Sequence, residues 1–236
     1  KYELNGVEMS RKYCPKCMKA SSTCICQWLE EQINLWPVLI LQHSDEVKKT
    51  LGTAKLVELN LAKAKIVTSI SFPKLECFKE LEKLNTSKPI LLYAHEMKDS
   101  PFHIELDFES EITIPKRLST YFDSIILLDG TWRNTREILH ENSWLKTLPT
   151  ISLINAGESN YRIRKSSQAN ALATIEAVSK LLSVLEKKFD SEAFLLPFKK
   201  MIDFQIDKMG DAVFRRNYVM ADKAADEDER PTWNID

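Results

Sequence analysis

Residues 125–132 read Ile-Ile-Leu-Leu-Asp-Gly-Thr-Trp, with Arg133-Asn134-Thr135-Arg136 behind them. Four consecutive aliphatics predict a strand buried on both faces, and the apolar spacing from Arg136 to Leu139 predicts a helix over roughly 133–141. In an α/β sheet the loop leaving the carboxyl end of a strand is where ligands bind. Asp129 places a carboxylate there, Gly130 a permissive backbone, Thr131 a hydroxyl and Trp132 a large flat ring. Taken alone, the run is equally an ordinary strand-to-helix turn, with Asp129 as N-cap and Trp132 in the core.

Four of the five cysteines fall within thirteen residues, Cys14, Cys17, Cys24 and Cys26, as C-P-K-C-x6-C-I-C. Two such pairs let four thiolates converge on one tetrahedral Zn²⁺, with Lys12, Lys16 and Lys19 offsetting the negative charge. Free thiols or two disulfides are the alternatives; without a secretory signal the disulfides are disfavoured. All four corners are protein ligands, so such a metal would be structural. Cys77 stands apart and reads as a buried small apolar residue. A basic loop, Tyr161-Arg162-Ile163-Arg164-Lys165, offers cations and an aromatic for phosphate, carboxylate or a stacked base, or is simply a solvated loop. His43 and His95 close two strands beside Asp45, Glu46 and Glu96. No nucleophile elbow accompanies them, which argues against a hydrolase.

The elements that must carry these groups alternate. Strands are expected at residues 36–43, 65–70, 89–93, 125–128 and 150–154, and helices over 48–62, 78–84, 133–141, 170–189 and after Pro197. Segment 97–120, mixed in polarity with two prolines, reads as an irregular connection or an edge hairpin. The pattern predicts an α/β sandwich around a mostly parallel sheet, with polar strand ends sharing one rim. We expect a cysteine module at 1–30, a main domain at 31–218 and an acidic tail at 219–236 holding Asp222, Asp226, Glu227, Asp228 and Glu229. The chain has 236 residues and a net charge of −1, so a nucleic-acid surface would have to be a local patch. Its five glycines form neither a dinucleotide-binding nor a P-loop pattern. No apolar run approaches the roughly 20 residues of a membrane span. The chain opens on Lys1, so a few native residues are expected before it; a cytoplasmic monomer is the expectation.

Several boxes occur in order: the cysteine pairs, Leu41-Gln42-His43-Ser44-Asp45-Glu46, Leu91-Leu92-Tyr93, Leu128-Asp129-Gly130-Thr131-Trp132, Ser159-Asn160-Tyr161-Arg162-Ile163-Arg164 and Thr174-Ile175-Glu176-Ala177. This order resembles the DTW-domain family over roughly residues 14–206. Ser44 and Ala94 stand where that family's pattern has Pro. The resemblance implies a tRNA-uridine aminocarboxypropyltransferase related in fold to the knotted SPOUT methyltransferases, with a C-terminal trefoil knot. Such enzymes move the 3-amino-3-carboxypropyl group of S-adenosylmethionine to N3 of a tRNA uridine. On that basis Asp129 is the candidate general base. Leu92, Tyr93, Leu128, Asp129, Gly130, Thr131, Trp132, Leu153 and Asn155 would form the cofactor pocket. Arg162 or Arg164 would hold the methionine carboxylate or a tRNA phosphate. The cysteine module with Lys48, Lys49, Lys55, Arg162, Arg164 and Lys165 would face tRNA. The rival readings are a SPOUT-type RNA methyltransferase and a non-catalytic zinc-containing RNA-binding protein.

Overall fold

The computed structural model describes residues 12–49, 51–94, 97, 99–112, 118–163 and 171–219. His95, Glu96, Arg164, Lys165 and the expected acidic tail beyond 219 lie outside the described residues. Six strands form one sheet: β1 Val38–His43, β2 Ala64–Ser69, β3 Pro89–Leu92, β4 His103–Asp107, β5 Ser124–Asp129 and β6 Thr150–Ile154. Their order is β2-β1-β5-β3-β6-β4 and every pairing is parallel. The helices are α1 Ala54–Asn60, α2 Lys74–Lys83, α3 Leu118–Tyr121, α4 Trp132–Glu141, α5 Thr174–Leu185, α6 Ser191–Met209 and α7 Asp211–Phe214.

The aliphatic runs follow from burial on both faces. Val38, Ile40, Ile90, Ile125, Leu127 and Ile151 point into one core with α1, α5 and α6. Leu39, Leu41, Leu91 and Ile126 point the other way, against Cys77 and Leu81 of α2 and Ile138 and Leu139 of α4. Each fully buried aliphatic contributes about 1.5–3 kcal/mol. Cys77 is buried among them; burial first, then Glu76 and Glu80, pushes its thiol up to about 11.

Two expectations change. Segment 97–120 holds no hairpin among its described residues: His103–Asp107 joins the sheet as a parallel edge strand on β6. Its exposed outer side dilutes the apolar signal that marks the central strands. The last helix starts at Ser191 and carries Pro197 within it. Asp190 caps it, its Oδ1 accepting the N–H groups of Glu192 and Ala193 at 3.0 Å each. Asn60 Nδ2 donates to the Phe194 carbonyl at 3.0 Å, adding a tertiary bond in the turn that Pro197 weakens.

A buried carboxylate fixes the entry to β1. Glu186, at the C-terminus of α5, accepts the N–H groups of Leu35 and Trp36 on one oxygen, both at 2.9 Å. Among the described residues no helix is long and apolar enough to cross a membrane. Removing the Glu186 acceptor strands two backbone donors, so Glu186→Ala should cost about 2–4 kcal/mol in chemical denaturation. Glu186→Gln keeps a two-lone-pair acceptor and should cost less than half of that.

Candidate active site

In register, Gln42 of β1 lies between Thr68 of β2 and Asp129 of β5. Side chains at paired positions of a parallel sheet share a face, so the three form a polar row at its carboxyl rim. Thr68 Oγ1 donates to Gln42 Oε1 at 3.3 Å, and Gln42 Nε2 donates to Asp129 Oδ2 at 2.9 Å. A carboxylate only accepts, so the amide must turn its nitrogen to Asp129. On the other side Thr174, the first residue of α5, donates its hydroxyl to Asp129 Oδ1 at 2.5 Å. Asp129 is buried and held at both oxygens by groups from two different elements.

Asp129 does not cap α4. Thr131 does: its Oγ1 accepts the Asn134 N–H at 3.3 Å. Gly130 is needed for packing, since a Cβ there would lie 2.9 Å from Asn134 Cβ and 3.5 Å from His43 Cβ. His43 sits beneath this turn. The Asp45 N–H donates to its Nδ1 at 3.1 Å, which places the ring proton on Nε2, 3.5 Å from Glu137 Oε2. His43 is a packed support and does not face the cleft.

Above Asp129 opens a cleft of about 550 Å³. Leu92, Tyr93, Leu128, Gly130, Thr131, Trp132, Leu153 and Asn155 all line it. Tyr93 and Trp132 meet edge to face at 6.4 Å, and burial raises the Tyr93 phenol above its ordinary value, keeping it protonated. Asn155 adopts a left-handed φ of 50° and donates Nδ2 to Asp107 Oδ1 at 3.0 Å. The basic loop contributes differently from expectation. Tyr161 and Ile163 line the cleft, while Arg162 pairs with Asp203 of α6 at 2.7 Å beside Trp28 and Lys200.

Sequence reasoning left two residues without roles, Thr174 and Glu176, and gave Tyr161 a different one. Thr174 orients Asp129. Glu176, buried in the same first turn, accepts from Ser159 Oγ (2.5 Å), Asn160 N (2.7 Å) and Ala173 N (2.8 Å), tying the 159–163 loop to α5. Tyr161 then donates its hydroxyl to the Leu51 carbonyl at 2.6 Å, closing the wall against the segment after β1. The Thr-Ile-Glu spelling at 174–176 was the available signal, since alternate residues at a helix start can cap and reach outward.

The four cysteines gather at the opposite end of the chain. Their sulfurs lie within 4.8 Å of one another, with Cys14–Cys26 at 3.6 Å and Cys17–Cys24 at 3.8 Å. Tetrahedral thiolates around a metal at about 2.3 Å stand about 3.8 Å apart, so the set fits one ion. The N–H groups of Cys17, then Lys16, pull the Cys14 thiol down to about 6, whereas burial, then Cys14, pushes Cys26 up to about 12. So crowded a set cannot ionise fully without a cation. Lys19 is buried against it, pushed down to about 8 by desolvation and partly restored by Cys17. Ile25 and Cys17 pack into the main core, and Trp28 meets Phe204 of α6 at 5.3 Å.

A polar clamp at the strand rim, a cleft above it and a four-cysteine cluster define an α/β protein with a candidate site at the carboxyl rim of its sheet. The DTW domain model matches residues 11–206, and the chain belongs to that family. It is similar to proteins named tRNA-uridine aminocarboxypropyltransferase 2. The one from Drosophila melanogaster is 29% identical over 204 residues, covering 84% of this chain and 76% of the relative. The one from Macaca fascicularis is 27% identical, covering 83% and 64%; the one from Mus musculus is 24% identical, covering 89% and 69%. No solved structure gives a significant match.

Two outcomes are expected. Gly130→Ala drives a Cβ into Asn134 and should cost about 1–3 kcal/mol in thermal or chemical unfolding. Elemental analysis of protein purified under reducing conditions should find one divalent ion per chain, lost in Cys17→Ser, and chelation should lower Tm.

Proposed function

We propose that this chain is a tRNA-uridine aminocarboxypropyltransferase, moving the 3-amino-3-carboxypropyl group of S-adenosylmethionine to N3 of a tRNA uridine. The carrying observation is Asp129, clamped by Gln42 and Thr174 at the floor of a strand-end cleft in a chain of the DTW family. The names of the relatives supply the substrate class. The cleft's size falls in the range of about 300–1,000 Å³ usual for small-molecule sites. Its aliphatic and aromatic walls, with Asn155 and Thr174, suit a neutral nucleoside better than a polyphosphate.

When bound, S-adenosylmethionine supplies a sulfonium that makes its attached carbons electrophilic. The reaction to be served forms a bond from uridine N3 to the arm, breaks that carbon's bond to sulfur and leaves methylthioadenosine. Uridine N3 is a poor nucleophile while it holds its imide proton. Asp129 is the residue that takes that proton. Gln42 and Thr174 each donate to a different oxygen, so the carboxylate is aimed from both sides. Leu92, Leu128, Gly130 and Leu153 offer strand-end backbone to adenosine, with Tyr93 and Trp132 as walls. Gly130's missing Cβ serves α4, so any close approach to the cofactor uses its other side.

Lys48, Lys55 and Arg162 form the tRNA-facing set, together with Arg164 and Lys165 of the undescribed segment, whereas Lys49, first expected in it, lines the cleft. Lys55 and Arg162 already hold Glu58 and Asp203; both cations are exposed enough to turn to a phosphate instead. The four-cysteine cluster holds structural zinc in this reading, its all-thiolate donor set being the chemistry zinc prefers. A relation to the knotted SPOUT enzymes belongs to the same reading on the family resemblance, and the all-parallel sheet is compatible with it.

Full-length protein incubated with tRNA and S-adenosylmethionine should add the aminocarboxypropyl mass to a uridine nucleoside. Asp129→Asn should lower the rate about 10²–10⁴-fold. A methyl increment, or none, would contradict the reading.

A further inference from the structure

Among the described residues three charged side chains line the cleft: Asp129, Glu46 and Lys49. Asp129 is engaged by Gln42 and Thr174. The other two face each other, Lys49 Nζ donating to Glu46 Oε1 at 2.6 Å. The Glu46 side chain is only 10% exposed and that of Lys49 45%, so the lysine marks the open side.

Backbone geometry sets this pair. His43 Nδ1 holds the Asp45 N–H, the Lys49 N–H donates to the Glu46 carbonyl at 3.0 Å, and the Gly52 N–H donates to the Lys49 carbonyl at 3.0 Å. Asn134 Nδ2 of α4 reaches Glu46 Oε1 at 3.4 Å, joining the pair to the helix that follows Asp129.

We propose that Glu46 and Lys49 form the subsite for the amino-acid head of the donor, Glu46 taking its α-ammonium and Lys49 its α-carboxylate. This rests on the transferase reading above. The head is a zwitterion whose opposite charges sit on two groups bonded to the same carbon, and an acid beside a base on one wall is its complement. The pair as it stands is held weakly, because half of the lysine is in water. Charge-assisted bonds to a ligand that excludes that water are stronger. Arg162, the other described cation offered for the carboxylate, is tied to Asp203 and does not line the cleft. Anchoring the head at the open side leaves the nucleoside in the closed part. That fixes which sulfonium carbon faces an incoming base, the arm and not the methyl.

The test is calorimetry on the full chain with S-adenosylhomocysteine, which carries the head, and methylthioadenosine, which lacks it. Lys49→Met and Glu46→Gln should each weaken S-adenosylhomocysteine by about tenfold or more while methylthioadenosine stays within about twofold. Unchanged affinity for both ligands, or equal loss of both, overturns the subsite and leaves the transferase reading standing. A wild-type chain that binds neither ligand overturns both.

Discussion

One carboxylate, Asp129, is held by a strand on one side and a helix on the other, and the site follows from that constraint. Gln42 reaches it across the sheet and Thr174 reaches it from the start of α5. A buried carboxylate without donors would be costly. With them it is oriented, and α5 is fixed against the rim that β1 and β5 form. The cleft is therefore the space left between a sheet edge and a helix end that share an anion.

The same logic extends outward. Glu176, in the first turn of α5, gathers three donors and brings the 159–163 loop onto the helix. Tyr161 carries that loop across to Leu51, and the turn from His43 to Gly52 completes the wall. Polar networks of this kind are costly when half satisfied. Here one of the donors named for Asp129 and Glu176, Thr174, lines the cleft itself, and Asn160 and Ala173 adjoin lining residues in the chain, so holding the fold and shaping the site draw on connected bonds. The cysteine cluster stands apart from this network. It lies beyond α6, where Ile25 and Trp28 attach it to the main core.

The central strands were legible because burial on both faces leaves unbroken aliphatic runs such as residues 38–41 and 125–128. The edge strand His103–Asp107 was not, since one partner strand and an exposed side give it a mixed composition. Pro197 was misleading for a different reason: α6 continues through it with tertiary support that local rules do not see. The candidate site was legible as a box, Asp-Gly-Thr-Trp, but its workings were not. Asp129's partners lie 87 and 45 residues away in the chain, so no spacing argument could find them. Register supplied the first, because Gln42 and Asp129 are cross-strand neighbours. Gly130 shows the same limit, its glycine being set by Asn134 on α4 and not by a ligand.

The central claim is that Thr174 and Gln42 aim Asp129 at a proton. The most direct measurement is steady-state transfer to tRNA by Thr174→Val beside Thr174→Ser. The valine keeps the shape without the hydroxyl; the serine keeps the hydroxyl. The account predicts that kcat falls about tenfold in Thr174→Val with KM within about twofold, and that Thr174→Ser restores most of it. A Thr174→Val chain as fast as wild type would contradict it.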